Sequence, residues 1–481
     1  MSFTTVNFIM FFAVVSVIYY LLPCRWRNYL LLAASYFFYM SAEPAFGLLL
    51  LAGTLVSYFA ALAAERQLLV KRTLWTALAV LYTFGVLFFF KYARFFCVSL
   101  LALIGVEYVP EWNILLPLGI SFFSFSVTGY LFDVHRGKLA AEKNFVHYAV
   151  FVSFFPTLLA GPIGRAREFL PQLKAVRGFS TDHLRRGLLR FIVGAAKKMV
   201  LADTLGIFVG AAYADPSAVS GGALLLAAIC YSVQIYIDFA AYSDMAVGTA
   251  EILGFSVTEN FRAPYLSASV QSFWKKWHIS LTSWFREYLY FPLGGSRRGM
   301  ARAMLNVLIV FAVSGLWHGA AWTFVVWGLL NGAYQVVGRL TEPLRLRLRG
   351  RLGISEDARL LLLWRGLFTF ALITATWIFF RAASIDQAVY IIKRILLILR
   401  DGFGWEGITN VFPKRQLLLV FVTLIPCVCE DIRIARGREF PMPKSAGWLY
   451  WGSILVLLLL ISIFGVYGEG FDPQEFVYFN F

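Results

Sequence analysis

Two histidines stand in settings where a side chain can do chemistry. The stretch SGLWHGAAWTFVVWGLL, beginning at Ser314, has one ionisable side chain, His318, held between Trp317 and Gly319. A buried neutral imidazole can take the proton of a hydroxyl as that hydroxyl attacks an ester or thioester carbonyl, which is the task of a general base in acyl transfer. Burial favours the neutral form that this task needs, and excluding water protects an activated acyl group from hydrolysis. The plain alternative is a satisfied interior residue of an apolar helix. The second histidine, His278, lies in SVQSFWKKWHISLTSWFREYLYFPLGGSRRG, which begins at Ser269. His135, His147 and His183 sit in or beside polar connections and make poorer candidates.

Around these histidines the polar residues fall into two patterns. CYSVQIYIDFAAYSDMAVGTAEILGF, from Cys230 to Phe255, reads as one helix that carries Gln234, Asp238, Tyr242, Asp244 and Glu251. Gln234, Asp238 and Tyr242 follow at intervals of four and share a face. Carboxylates in so apolar a helix do not face lipid: either they bond neighbouring helices or they line a cavity. In the segment around His278, a helical period puts Phe273, Trp277, Leu281 and Trp284 on one stripe and Lys275, His278, Thr282 and Arg286 on another. That pattern predicts a helix at the membrane boundary, with rings at headgroup depth and cations toward water. An anchor is one role for it. The crowding of Lys275, His278 and Arg286 also suits an anionic donor such as a coenzyme phosphate.

The elements that must position these residues are hydrophobic helices. The helix running from Arg302 reaches His318 after roughly 24 Å at about 1.5 Å per residue, most of the way across a hydrocarbon core of about 30 Å. Gly319 can end it, and the apolar run Ala320–Val337 leads back to basic residues from Arg339. His318 is thus expected near the apex of a hairpin whose two cationic ends lie on the cytoplasmic side. Gly315 and Gly319 leave room for a neighbouring helix or a ligand.

The whole chain fits that picture. Of its 481 residues 60% are hydrophobic and 15% charged, with a mean hydropathy of +0.71, too little polar surface for a soluble protein of this size. Apolar runs such as Phe8–Leu22, Leu74–Phe90, Leu360–Phe380 and Trp448–Val466 approach the ~20 residues that span a bilayer. Roughly ten to twelve such segments, some of them re-entrant, are expected on this length criterion. They are continuous rather than alternating, so the predicted class is an all-α polytopic membrane protein and not a β-barrel. The net charge of +16 collects in short connections (RWR from Arg25, ERQLLVKR from Glu65, RRG from Arg297, RLRLRGR from Arg345). That is a topology signal facing anionic lipid, not a nucleic-acid site.

The first segment lacks a basic leading region and a small-residue cleavage site, and reads as a retained span. Cys24, Cys97, Cys230, Cys427 and Cys429 show no zinc or disulfide spacing, and neither a metal nor a bound cofactor is expected. LRRGLLRFIVGAAKKMV, within the longest polar interval, reads as an amphipathic or interfacial helix. A single transmembrane domain over 1–481 is expected, with plain spans in 1–110, the chemistry in 114–340 and further spans in 341–481.

Several stretches together resemble the membrane-bound O-acyltransferase superfamily, and within it the bacterial branch of alginate O-acetylation proteins and teichoic acid D-alanyl transfer proteins. They are LPLGISFFSFSVTGYLFDVHRG from Leu116, FFPTLLAGPIGR from Phe154 and QIYIDFAAYSDMAVG from Gln234. LGFSVTENFRAPYLSASVQSFWKKWHISLTSWFREYLYFPLGG from Leu253, SGLWHGAAWTFVVWGLLNG from Ser314 and the ending FVYFNF follow. The resemblance implies a ring of helices around a thin centre, where a funnel from one face meets a passage from the other at the catalytic histidine. It implies that His318 is that histidine and that His278 is the upstream one. Gln234, Asp238, Tyr242, Asp244, Lys275, Arg286 and Trp317 become candidates for the surrounding shell or for binding substrate and donor.

The implied activity is transfer of an acetyl group from a cytoplasmic donor, acetyl-CoA, toward an exported polysaccharide, in a multi-pass protein of the bacterial inner membrane. A partner protein beyond the membrane would accept the acetyl group and pass it on. Two other readings remain open: a polysaccharide or ion transporter, and a scaffold for a secreted acetyltransferase. A transporter would be expected to show paired broken helices in two related halves, and here the polar features cluster in one region.

Overall fold

The computed structural model describes residues 1–106, 112, 114–176, 178–404, 413–438 and 447–467. The ending FVYFNF lies outside the described residues. Every regular element among them is helical, as expected where backbone groups must satisfy one another within apolar segments. Pro44–Glu65, Leu69–Leu103, Gly221–Ile252, Met300–His318 and Arg359–Arg381 are long and apolar enough to cross a membrane, and Val6–Leu21 and Trp448–Phe464 are shorter apolar helices. The basic run after Arg339 forms the helix Glu342–Leu352, which buries none of its residues.

These helices gather into two compact units, one of Met1–Ala195 with Tyr242–Glu259, the other of Ala196–Ala241 with the described residues from Asn260 onward. The long helix Gly221–Ile252 contributes its first part to the second unit and its last part to the first.

In the first unit the end of that helix meets Thr181–Ala196 at glycines. A Cβ on Gly187 would fall 2.6 Å from the carbonyl oxygen of Gly248, and one on Gly248 would fall 2.6 Å from that of Gly187, so neither position has space for a side chain. The close approach brings Arg190 between two carboxylates. Its Nε and Nη2 donate to Asp244 Oδ1 at 3.0 and 2.9 Å, and its Nη1 and Nη2 donate to Glu259 at 2.7 and 2.5 Å. Arg186 pairs with Glu251 at 2.7 Å. The segment expected to lie in the interface thus turns Arg186 and Arg190 toward the acids of an apolar helix. A carboxylate in such a setting is tolerated when a cation and hydrogen bonds answer it.

The second unit repeats the device. A π-helical turn, Lys197–Ala202, precedes the helix Asp203–Ala214. Within it Lys198 is buried and its Nζ lies 2.7 Å from Asp203 Oδ1 and 2.8 Å from Asp238 Oδ1. Burial works against its charge, but the two carboxylates outweigh this and hold its pKa above the usual lysine value. The neighbouring Lys197 reaches Glu430 at 2.7 Å, and Tyr236 Oη donates to Asp431 at 2.6 Å, which ties Lys414–Ala435 to the same group of helices.

Candidate active site

His318 is the last residue of the helix Met300–His318, and Gly319 leaves the helical path there. The chain returns in Trp322–Leu340. The predicted hairpin and its bend are therefore present. The two helices touch backbone to backbone: a Cβ on Gly315 would fall 2.2 Å from the carbonyl oxygen of Phe324, and one on Gly328 would fall 2.2 Å from that of Phe311. Small residues allow such contact between apolar helices. The room at Gly319, too, is filled from within the hairpin, by the ring of Phe324.

That approach fixes what surrounds the imidazole. His318 is 4% exposed and sits in a box of aromatic rings. Trp317, Trp327 and Phe380 meet it edge to face, with centroids 4.8, 5.0 and 5.2 Å away. Trp327 comes from the returning helix and Phe380 from Arg359–Arg381. Trp327 also stacks on Trp377 at 5.5 Å. Its carbonyl accepts from Asn331 Nδ2 at 2.9 Å, and Asn331 Oδ1 accepts from Trp274 Nε1 at 3.2 Å. The polar edges of Asn331 and Trp274 thus satisfy one another behind the box, as buried donors and acceptors must.

His278 also lies against Trp317, at a centroid distance of 6.0 Å, with Phe239 edge-on at 4.7 Å. The structure departs here from the continuous amphipathic helix expected around it. Val270–Lys276 and Ile279–Phe285 are two short helices, and His278 joins them in the left-handed region at φ +43°. The break buries His278 at 1% exposure and leaves Lys275 and Arg286 at the surface, so the three side chains do not form one face. The apolar stripe is as predicted, with Phe273, Trp277, Leu281 and Trp284 all buried. Burial alone pushes the His278 pKa down to about 3, so the ring is neutral and keeps one bare nitrogen.

The remaining candidates divide. Gln234 rests over Gly206, whose Cβ would fall 2.9 Å from its Nε2, and its Oε1 is buried without a hydrogen-bond partner among the described residues. Asp238 belongs to the Lys198 group, Asp244 to the Arg190 group. Tyr242 packs on Phe3 at 4.8 Å in the first unit. The structure therefore gathers His318, Trp317 and His278 and gives Asp238 and Asp244 cationic partners. Sequence reasoning passed over Lys198, Arg190, Asn260, Trp327 and Phe380. For Lys198 the signal was present: a lysine pair next to an apolar helix rich in acids.

Residues 135–385 match the membrane-bound O-acyltransferase (MBOAT) family. The chain belongs to that family. It is a multi-pass membrane protein and an O-acyltransferase. Among other members, it is similar to a probable alginate O-acetylase AlgI of Azotobacter vinelandii, with 39% identity over 77% of this chain and 73% of the relative. It is 36% identical to a probable alginate O-acetylase AlgI of Pseudomonas putida over 96% of both chains. It is 32% identical to a peptidoglycan O-acetyltransferase of Helicobacter pylori over 96% of this chain and 92% of that one. In this MBOAT protein the matched region contains both histidines and every aromatic wall of the His318 box.

Proposed function

We propose that this MBOAT protein moves an acetyl group from a cytoplasmic thioester, acetyl-CoA, for O-acetylation of an exported polysaccharide of the alginate type, from the bacterial inner membrane. The observation that carries the reading is the similarity to a probable alginate O-acetylase along 96% of both chains. In the proposed reaction a hydroxyl oxygen attacks the thioester carbonyl while His318 takes the hydroxyl proton. The tetrahedral intermediate collapses, the carbon–sulfur bond breaks, and the coenzyme thiolate leaves as the thiol with the proton that His318 took, which restores the neutral imidazole. The attacking hydroxyl belongs to a sugar or to a serine of an extracytoplasmic partner that carries the acetyl group onward. His278 serves as a second proton site or orients the donor, and the exposed cations Lys275 and Arg286 meet its phosphates. Gln234 and Asp238 act as the supporting shell, and Trp317 lies against both imidazoles.

The deciding experiment uses purified protein in liposomes with labelled acetyl-CoA and, as acceptors, alginate oligomers or peptidoglycan fragments. Acetylated alginate formed by the wild type and absent with His318→Ala, at unchanged thermal stability, supports the reading. Acetylated peptidoglycan alone would redirect it to the other polymer. Full turnover by His318→Ala would remove the proposed base. Solute flux in vesicles lacking any acyl donor would favour a transporter.

A further inference from the structure

His278 has two ring nitrogens, and a neutral imidazole can offer only one of them as a base. Which one is a matter of what the other is bonded to. We propose that Asn260 is a positioning residue that holds His278 as the Nδ1–H tautomer, so that the proton-accepting nitrogen is Nε2. The inference rests on the proposed function only for the use made of Nε2; the tautomer itself follows from the hydrogen bonds.

His278 stands at a helix end. The first N–H groups of a helix have no partner within it, and a side-chain oxygen at the N-cap usually answers one of them. His278 occupies the N-cap of Ile279–Phe285, and its side chain makes no capping bond. Asn260, distant in sequence, supplies both oxygens instead. Its carbonyl accepts from the Ile279 N–H at 2.9 Å, and its side-chain Oδ1 accepts from the Ser280 N–H at 3.3 Å and from Ser280 Oγ at 2.7 Å. A backbone N–H can only donate. The atom facing it is therefore the amide oxygen of Asn260 and not its nitrogen, which removes the usual ambiguity of an asparagine side chain.

The same Oδ1 lies 3.3 Å from His278 Nδ1. An amide oxygen only accepts, so Nδ1 must be the donor and must carry the hydrogen. In a neutral ring Nε2 is then bare. The neutral form is the one present, since His278 is buried among aromatic rings and Nδ1 faces an uncharged amide rather than a carboxylate. The left-handed backbone at His278 belongs to the same arrangement: it turns the chain so that ring and helix end meet one oxygen. Histidine is among the residues that enter that region more readily than most.

The test is a nitrogen NMR spectrum of protein labelled with ¹⁵N-histidine in nanodiscs near neutral pH. His278→Asn, which suits the left-handed backbone, identifies the His278 signals by their loss; Asn260→Asp, which keeps an acceptor in place, identifies them by their displacement. The expected result is a protonated Nδ1 and an unprotonated Nε2, distinguished by their couplings to the two ring carbon-bound protons. Asn260→Ala, if it folds, is expected to give a mixture of tautomers, and Asn260→Asp to retain the Nδ1–H form. A wild-type spectrum with the hydrogen on Nε2 overturns the proposal, as does an unaltered single tautomer in folded Asn260→Ala. The reading of function fails separately, on acetyl transfer at the full rate by both His278→Asn and His318→Ala.

Discussion

The indole of Trp327 meets the imidazole of His318 edge to face, at 5.0 Å between centroids and 87° between planes. Trp327 is completely buried and touches Trp274, Trp377 and Phe380 as well. Trp327→Phe keeps a ring on the imidazole and is expected to retain acetyl transfer. Trp327→Ala opens a cavity beside His318, with an expected loss of about 3–5 kcal/mol in stability and a fall in transfer. Thermal unfolding in detergent and the labelled-acetyl assay, run side by side, separate the two effects.

Removing the proposed base should have the opposite balance. His318→Gln keeps a polar group of similar reach but cannot take a proton. A loss of about 10²–10⁴-fold in turnover is expected, with little change in melting temperature. A variant within twofold of the wild-type rate would assign the proton transfer elsewhere.

The buried group of Lys198, Asp203 and Asp238 makes a stability prediction. Lys198→Met leaves two carboxylates without their cation, and breaking a buried pair from one side costs about 3–5 kcal/mol. Adding Asp238→Asn and Asp203→Asn should recover much of the loss, because the uncompensated charges go with it. Denaturation of the single and triple variants checks this, and equal stabilities for the two would refute it.

Helix contact in the hairpin should be sensitive to one methyl group. Gly315→Ala places a Cβ against the Phe324 carbonyl, and backbone there cannot yield cheaply. An expected cost of about 1–3 kcal/mol follows for overpacking, together with reduced transfer as His318 shifts. Gly338→Ala, on the same hairpin but with open space around it, is the control and should be neutral or slightly stabilising.

Acid should destabilise the fold through His278. Its pKa is about 3 in the folded protein against an ordinary 6.5, so between those values the unfolded chain binds the proton and the folded one does not. Stability from this group is complete above the ordinary value and declines as pH falls through that window. The melting temperature should drop with acidification, and drop less steeply in His278→Asn. Parallel slopes for the two proteins would show that His278 is not held neutral.

The spans were legible because apolar length is written directly into the chain, and so was the bend at His318, where glycine follows a long apolar helix. The helix expected over Cys230–Phe255, which runs from Gly221 to Ile252, was legible for the same reason, and its acids announced that partners must exist. Who the partners are was not, since Arg190 and Lys198 reach them through packing between helices that no local period encodes. The region around His278 misled most. Its residues suit one amphipathic helix, and the stripe Phe273, Trp277, Leu281, Trp284 is indeed buried, but Asn260 draws off the first N–H groups after His278 and the helix restarts. A long-range cap of this kind leaves no mark on the periodicity.

The positive φ at His278 also bears on how position 278 can drift over generations. Most side chains are disfavoured in that region, whereas glycine, asparagine and aspartate enter it readily. Replacements inherited at this site should therefore be drawn from that small set, whatever they do to catalysis, so that lineages which abandon the imidazole are steered by the main chain before selection weighs their chemistry.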